Sequence, residues 1–167
     1  MGLFTKDIQS MDDLFAHQLQ DMYYAENKIV GSLPDMIEKS TNPDLKTAFE
    51  SHLQETKSQV RRLEQVFQLC GLETKAVDCP ALDGIIEEAE EVAGDVAEDR
   101  VLDAALIAAG QSVEHYEIAR YGTLIAWAKT LGRNDCANLL AQNLAEEKAA
   151  DQKLTSIAES GANRAAA

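Results

Sequence analysis

Two pairs of long helical stretches, each pair closed by a short turn and the pairs separated by roughly 27 residues, leave this chain very few ways to fold. Punctuation is sparse: 167 residues contain three Pro and nine Gly. Nothing alternates at period two for long enough to make a strand. The first stretch runs from about Ser10 to Ser40, with a kink expected near Gly31 and Pro34. Asn42 is suited to cap a second helix and Pro43 to open it. That helix is expected to reach Cys70, with Gly71 as its stop. A short acidic helix, ALDGIIEEAEEVA, follows Pro80 inside the long connection. A fourth helix covers about Glu98 to Leu131 and ends at Gly132; Asn134 can cap a fifth that continues to about Ser160. The tail, residues 161–167, is expected to fray.

A helix of about 30 residues is about 45 Å long at 1.5 Å per residue. A link of some 27 residues that holds a helix of its own is therefore long enough to travel the length of a bundle. The expected fold is all-α: one domain over residues 1–160, a four-helix bundle with one long crossover carrying a short fifth helix. That is the ferritin-like arrangement.

The middle of each long helix is unusual. Glu26 has Leu19, Met22, Tyr23, Ile29, Val30 and Leu33 as its neighbours at helical spacing, so it sits mid-stripe on a face that should be buried. The second helix gives the stripe Leu45, Ala48, His52, Glu55, Gln59, Leu63, Val66. The fourth gives Ile107, Gly110, Glu114, Glu117, Tyr121, Leu124, and the fifth Leu140, Leu144, Glu147, Asp151, Leu154, Ile157. An isolated buried carboxylate costs several kcal/mol, and four that converge repel one another and cannot all stay ionised without compensation. Two divalent cations neutralise four carboxylates and turn their oxygens into ligands. The expectation is a dimetal-carboxylate centre. Glu26, Glu55, Glu114 and Glu147 are its four acids, with Gln59 and Asp151 as polar partners four residues after Glu55 and Glu147.

Overall charge narrows the field. Lys plus Arg is 15 and Asp plus Glu is 29, a net charge of −14. Phosphate recognition needs clustered Lys and Arg, so nucleic acid is not expected as a partner. No apolar run reaches the length of about 18–20 residues that a membrane helix needs. The opening MGLFTKDIQS shows no secretory pattern, and Lys6 stands where myristoylation wants Ser or Thr. Cys70, Cys79 and Cys136 contain no CxxC, which fits a reducing cytoplasm better than a disulfide framework or a thiolate zinc site. The acidic run 87–99 reads as a solvated face.

The segments LQDMYYAENK (19–28), AFESHLQETKSQVRRLEQVF (48–67), LDAALIAAGQSVEHYEIARYGTL (102–124) and LAEEKAADQKL (144–154) resemble the YciF-like family of bacterial ferritin-like stress proteins, over nearly the whole chain. The resemblance implies a bundle with a rubrerythrin-like core, a two-metal site of iron or manganese, a homodimer, and a role in oxidative or general stress. By position it implies Glu26, Glu55, Glu114 and Glu147 as the four bundle acids, with Glu117 as the extra carboxylate. It also exposes a departure. Rubrerythrins carry two Glu-x-x-His pairs; here Ser58 and Ala150 stand in the His positions, and Gln59 and Asp151 are the nearest substitutes. An oxygen-rich ligand set tolerates Mn or Mg better than an imidazole-rich one. The competing expectation is a non-catalytic structural or interaction protein with a vestigial or purely structural metal site.

The remaining polar residues have two readings each. His52 is a ligand, or a support to one, or more plainly a hydrogen-bonded core histidine. His115, about 100° around from Glu114, faces a neighbouring helix or a dimer partner. Tyr23, Tyr116 and Tyr121 flank the acids as packing aromatics or as donors to ligand carboxylates.

Overall fold

The computed structural model describes residues 8–167; the residues read above for a leader, 1–7, lie outside the described part. Helix α1 spans Met11–Lys39, and its Ser10 cap accepts a 3.1 Å bond from the Asp13 amide. It runs as one helix with Pro34 inside its span. Helix α2 spans Pro43–Leu69 and starts as anticipated, with Asn42 accepting from the amides of Asp44 and Leu45. Helix α3 is the short acidic element, Pro80–Asp95, and helix α4 spans Asp99–Thr130.

The ends of α2 and α4 share one device. Gly71 at φ +65° and Gly132 at φ +73° take the left-handed conformation that closes a helix. The returning amides of Leu72 and Arg133 then bond the Phe67 and Ala128 carbonyls at 2.9 and 2.8 Å. The second turn makes Arg133, rather than Asn134, the residue that precedes helix α5, Asn134–Ile157; Asn134 is its first helical residue and supplies no side-chain cap.

The tail is helical almost to its end. A π-helical turn at Ala158–Ala162 leads into α6, Asn163–Ala166, and both lie against α4. The turn buries Ala158 and Ala162, whose small side chains permit that close approach.

Helix α1 packs on α2, α2 on α5, α5 on α4 and α4 on α1, so the four long helices form a ring. Every neighbouring pair runs antiparallel. The short turns impose it on α1–α2 and α4–α5. Pairings such as Gln59 with Glu147 and Arg62 with Asn143 show it for α2–α5. Thr41 with Asp103 and Glu26 with Tyr121 show it for α1–α4. Helices α2 and α4, diagonal in the ring, are therefore parallel. The chain leaves α2 at one end and must begin α4 at the other, which explains the long crossover. Helix α3 lies along α4, tied to α1 by Tyr24 and Asp83 at 2.9 Å and to α4 by Cys79 and Tyr116 at 2.8 Å.

Between the Gly71 and Gly132 turns and the bundle's middle, the core is apolar: Phe15, Leu19, Leu63, Phe67, Leu124 and Leu140 are essentially without solvent contact. Each such side chain contributes about 1.5–3 kcal/mol by leaving water. Above that layer the interior changes character.

Candidate metal centre

The polar layer is built by ordinary helix periodicity. On α4, Glu114 and Glu117 are three apart and Tyr121 four further on, so all three share the inward face. On α2 the buried set is His52, Thr56, Gln59 and Leu63. Helix α5 turns Leu140, Asn143 and Glu147 inward, and α1 brings Glu26 between Met22 and Ile29. Gly110, one turn before Glu114, has a steric reason. A Cβ there would lie 3.0 Å from Leu154 Cδ1 and 3.4 Å from Phe49 Cε1, so its absence lets those side chains close over the layer.

His52, Glu114, Glu117 and Glu147 are all buried, and one ligand atom from each lies within 4.8 Å of the other three. His52 Nε2 is 3.3 Å from Glu114 Oε1 and 3.9 Å from Glu147 Oε2. Glu26, fully buried, adjoins Glu117 and accepts a hydrogen bond from the Tyr121 hydroxyl. Gln59 Nε2 donates to Glu147 and, at 3.1 Å, to Glu146.

Burial pushes the carboxyls of Glu26, Glu117 and Glu147 above their ordinary range. For Glu26 and Glu117 the charge of Glu147 adds to it; for Glu147, bonds from Glu114 and Gln59 and the nearby His52 act against it. Glu114 is pushed up to about 11, first by burial and then by Glu147. In the absence of a cation these groups hold protons that carboxyls in water would release.

A group of this kind calls for partners, and several atoms have none. Among the described residues, both oxygens of Glu117, one each of Glu26, Glu114 and Glu147, the Gln59 carbonyl and both ring nitrogens of His52 are buried without a hydrogen bond. Buried polar atoms are nearly always paired. Five carboxylate oxygens and an imidazole with open valences are what a bound cation satisfies, so the residues fit a metal site. The donor set, mainly carboxylate with one imidazole, suits iron or manganese better than a thiolate-seeking ion.

Behind the centre runs a polar chain. Tyr121 receives a 2.9 Å bond from Asn143 Nδ2, and Asn143 Oδ1 accepts from Arg62 at 2.8 Å. Arg62 then grips both oxygens of Glu146, at 2.6 and 2.7 Å. The chain orients the Tyr121 hydroxyl toward Glu26. Tyr121 was anticipated beside the acids; Asn143 and Arg62 were not, although Asn143 interrupts an apolar stripe three residues after Leu140.

The seven residues named from sequence thus divide five to two. Glu26, Gln59, Glu114, Glu117 and Glu147 come together in the buried layer. Glu55 does not join them. Its side chain is 44% exposed and its Oε2 is 3.7 Å from His52 Nδ1, beyond a good hydrogen bond. The inward face of α2 follows 52, 56, 59 and 63, which leaves Glu55 at the rim; there His52 holds its carboxyl below the usual range. Asp151 also lies outside. It accepts a 3.0 Å bond from Gln111 and pairs with exposed His115 at 3.3 Å. His115 therefore faces the neighbouring helix α5. His52 makes the opposite move, from core histidine to member of the centre. Tyr116 points away, to Asp21 and Cys79.

Two clefts reach the layer, and each is bordered by His52 and Glu114. One, about 350 Å³, opens between α2 and α5 with Asp44, Glu55 and Lys153 at its walls. The other, about 80 Å³, is narrow and apolar, lined by Ile29, Leu33, Ile86, Leu106 and Val113 between α1, α3 and α4.

A family model described as a domain of unknown function, DUF892, matches residues 10–167. The protein YciF of Escherichia coli strain K12 is 44% identical over 161 residues, covering 96% of this chain and 97% of its own length. Among solved structures, YcfI from Rhodopseudomonas palustris, for which a structural role has been suggested, superposes with a TM-score of 0.90 at 55% identity, covering 92% of this chain and 98% of that one. The E. coli stress protein YciF gives a TM-score of 0.89 at 44% identity, covering 93% and 99%. A protein from Xanthomonas campestris pv. campestris gives 0.73 at 20% identity, covering 90% and 93%, a likeness of fold alone.

Proposed function

The chain belongs to the DUF892 family, and on that premise we propose that it is a ferritin-like dimetal-carboxylate protein of the stress response. The observation that carries the reading is Glu117, a fully buried carboxylate with neither oxygen hydrogen-bonded among the described residues, beside Glu26, Glu114 and Glu147. Four buried carboxylates carry −4, which two divalent ions neutralise. His52, Glu114, Glu117 and Glu147 would hold one ion, and Glu26 with its neighbours would complete the site for a second. Bound iron or manganese would supply one-electron redox chemistry toward dioxygen or peroxide.

The protein's own residues have distinct tasks. Gln59 and the Arg62–Asn143–Tyr121 chain orient Glu147 and Glu26 before any ion arrives. The cleft beside Glu55 offers a polar path for a hydrated cation. The apolar cleft admits small uncharged molecules and excludes bulk water. A homodimer in the cytoplasm completes the proposal. No described helix is long and apolar enough to cross a membrane.

Metal analysis tests it. The full chain, loaded with Mn²⁺ or with Fe²⁺ under anaerobic conditions and then desalted, should retain close to two ions. The Glu114→Gln, Glu147→Gln double variant should retain far fewer. One ion in the wild type would refute the dinuclear site, and none would refute the metal reading. A second reading is favoured by the rim positions of Glu55 and Asp151 and by the structural role suggested for YcfI: the ions only fasten the four helices. Peroxide consumption separates the two. A loaded wild type no faster than the double variant is structural.

A further inference from the structure

Cys70 and Cys136 meet at the bundle end where α2 finishes and α5 begins. Their sulfurs are 3.6 Å apart although 66 residues separate them in sequence. A disulfide needs an S–S distance of about 2.05 Å, so closure asks each side chain to move by less than about 1 Å. Cys70 follows the last residue of α2 and precedes Gly71, so it is not locked inside a helical turn. Cys136 is the third residue of α5. The pair is outside the metal centre. Each cysteine is 11 residues along its helix from Gln59 or Glu147, about 16 Å at 1.5 Å per residue.

We propose that Cys70 and Cys136 are a thiol oxidation site: a hydroperoxide converts them to a reversible intramolecular disulfide that fastens the end of α2 to the start of α5. Their surroundings divide the work. Cys70 is partly exposed and lies beside the Arg133 guanidinium, which Asp12 also holds at 2.7 Å. Of the two sulfurs it is the one a peroxide in solvent can reach, and the thiolate is the nucleophilic form. Cys136 is buried, and burial and then Cys70 push its thiol up to about 12, so it waits as the thiol. In the first step the Cys70 thiolate attacks one peroxide oxygen. The O–O bond breaks, water leaves with a proton from solvent, and Cys70 becomes a sulfenic acid. In the second, Cys136 sulfur displaces that hydroxyl, losing its proton, and a second water leaves as the S–S bond forms. In sum two thiols are oxidised by two electrons and one hydroperoxide is reduced. A reducing cytoplasm returns the dithiol by thiol exchange.

Cys79 is the internal control, since it is buried against Tyr116 at 2.8 Å, at the start of α3. The test uses reduced full-length protein, both metal-loaded and chelator-treated, exposed to hydrogen peroxide. Thiols are counted after unfolding, and peptides are mapped by mass without reduction. One of the three thiols should remain, with a Cys70–Cys136 linked peptide that dithiothreitol releases. Oxidised protein should melt higher than reduced protein. Cys136→Ser should stop at a sulfenic acid on Cys70 that a 1,3-dione traps, and Cys70→Ser should keep its thiols at the same dose. Cys79→Ser should still form the link. A linked peptide involving Cys79, a disulfide between chains, or Cys70 oxidised to sulfinic acid with no link would overturn the proposal. A link that forms only in loaded protein would also overturn it, because the pair is argued to act without the metal.

Discussion

Helix α4 buries acids in two opposite ways. Near its start, Asp103 is 4% exposed and fully employed: one oxygen accepts from the Thr41 amide at 2.8 Å and the other from the Thr41 hydroxyl at 2.7 Å. Fourteen residues on, Glu117 is as deeply buried and has no hydrogen bond among the described residues on either oxygen. The first acid is structural. It ties the α1–α2 turn to α4 and replaces the water it lost with two good donors. The second has lost its water and has in exchange only the company of other buried acids, Glu26 nearest among them. Burial alone therefore says little about function; burial without satisfaction does.

The comparison breaks most visibly at Glu117. In metal-free protein, Glu117→Met replaces an unpaired buried acid with an apolar side chain of similar size, and should stabilise the fold by about 1–4 kcal/mol. The same variant should lose the stabilisation that metal gives the wild type, about 4 kcal/mol at a thousand times the dissociation constant. Thermal melts with and without Mn²⁺ check both signs. A destabilised metal-free variant would mean that Glu117 has a partner in the fold.

Titration sharpens the contrast next. The folded-state carboxyl of Glu114 sits at about 11, whereas an unfolded glutamate sits near 4.5. A raised value favours the folded state fully below about 4.5, and the benefit erodes as pH climbs toward 11. Metal-free protein should accordingly lose stability between pH 6 and 8, at up to about 1.4 kcal/mol per unit for each proton held. Metal reverses the sign, because ions displace the protons: loaded protein should instead gain stability as pH rises through about 4 to 6. Denaturant midpoints across that range read the slope directly.

A smaller effect is expected at the satisfied acid. Asp103→Ala strands the amide and hydroxyl of Thr41 and should cost about 1–3 kcal/mol, alike with and without metal. Metal content should not change. A metal-dependent cost would show that the bundle end is coupled to its middle.

Much of this was legible in the sequence, for reasons that can be named. Helix spans followed from capping and sparse punctuation, and the crossover from the length of helix it must pass. Glu26, Glu114, Glu117 and Glu147 were legible because an acid among leucines is conspicuous at helical spacing. His52 was less so, since an imidazole in a core is common and only the approach of Glu114 and Glu147 from two other helices marks it. Cys70 and Cys136 were invisible as a pair, because their meeting depends on how α2 and α5 slide along each other. Glu55 shows the limit of a stripe drawn by eye. A choice between 55 and 56 turns the face by about 100°, and the fold chose Thr56.

Asp151 tests that limit with the smallest expected effect. In sequence it stands four residues after Glu147, an interval that normally keeps two side chains on one face. In the bundle it turns instead toward Gln111 and His115, and its side chain is 23% exposed. The His115 contact is at the surface, where an ion pair contributes about 0–1 kcal/mol, and an amide oxygen can still accept the half-buried Gln111 bond. Asp151→Asn should therefore change stability by less than about 0.5 kcal/mol and leave the metal content untouched. Glu147→Gln, one turn away, should lower that content sharply. If the two variants lose metal equally, the rim acid is a ligand after all, and the centre extends further toward solvent than its burial suggests.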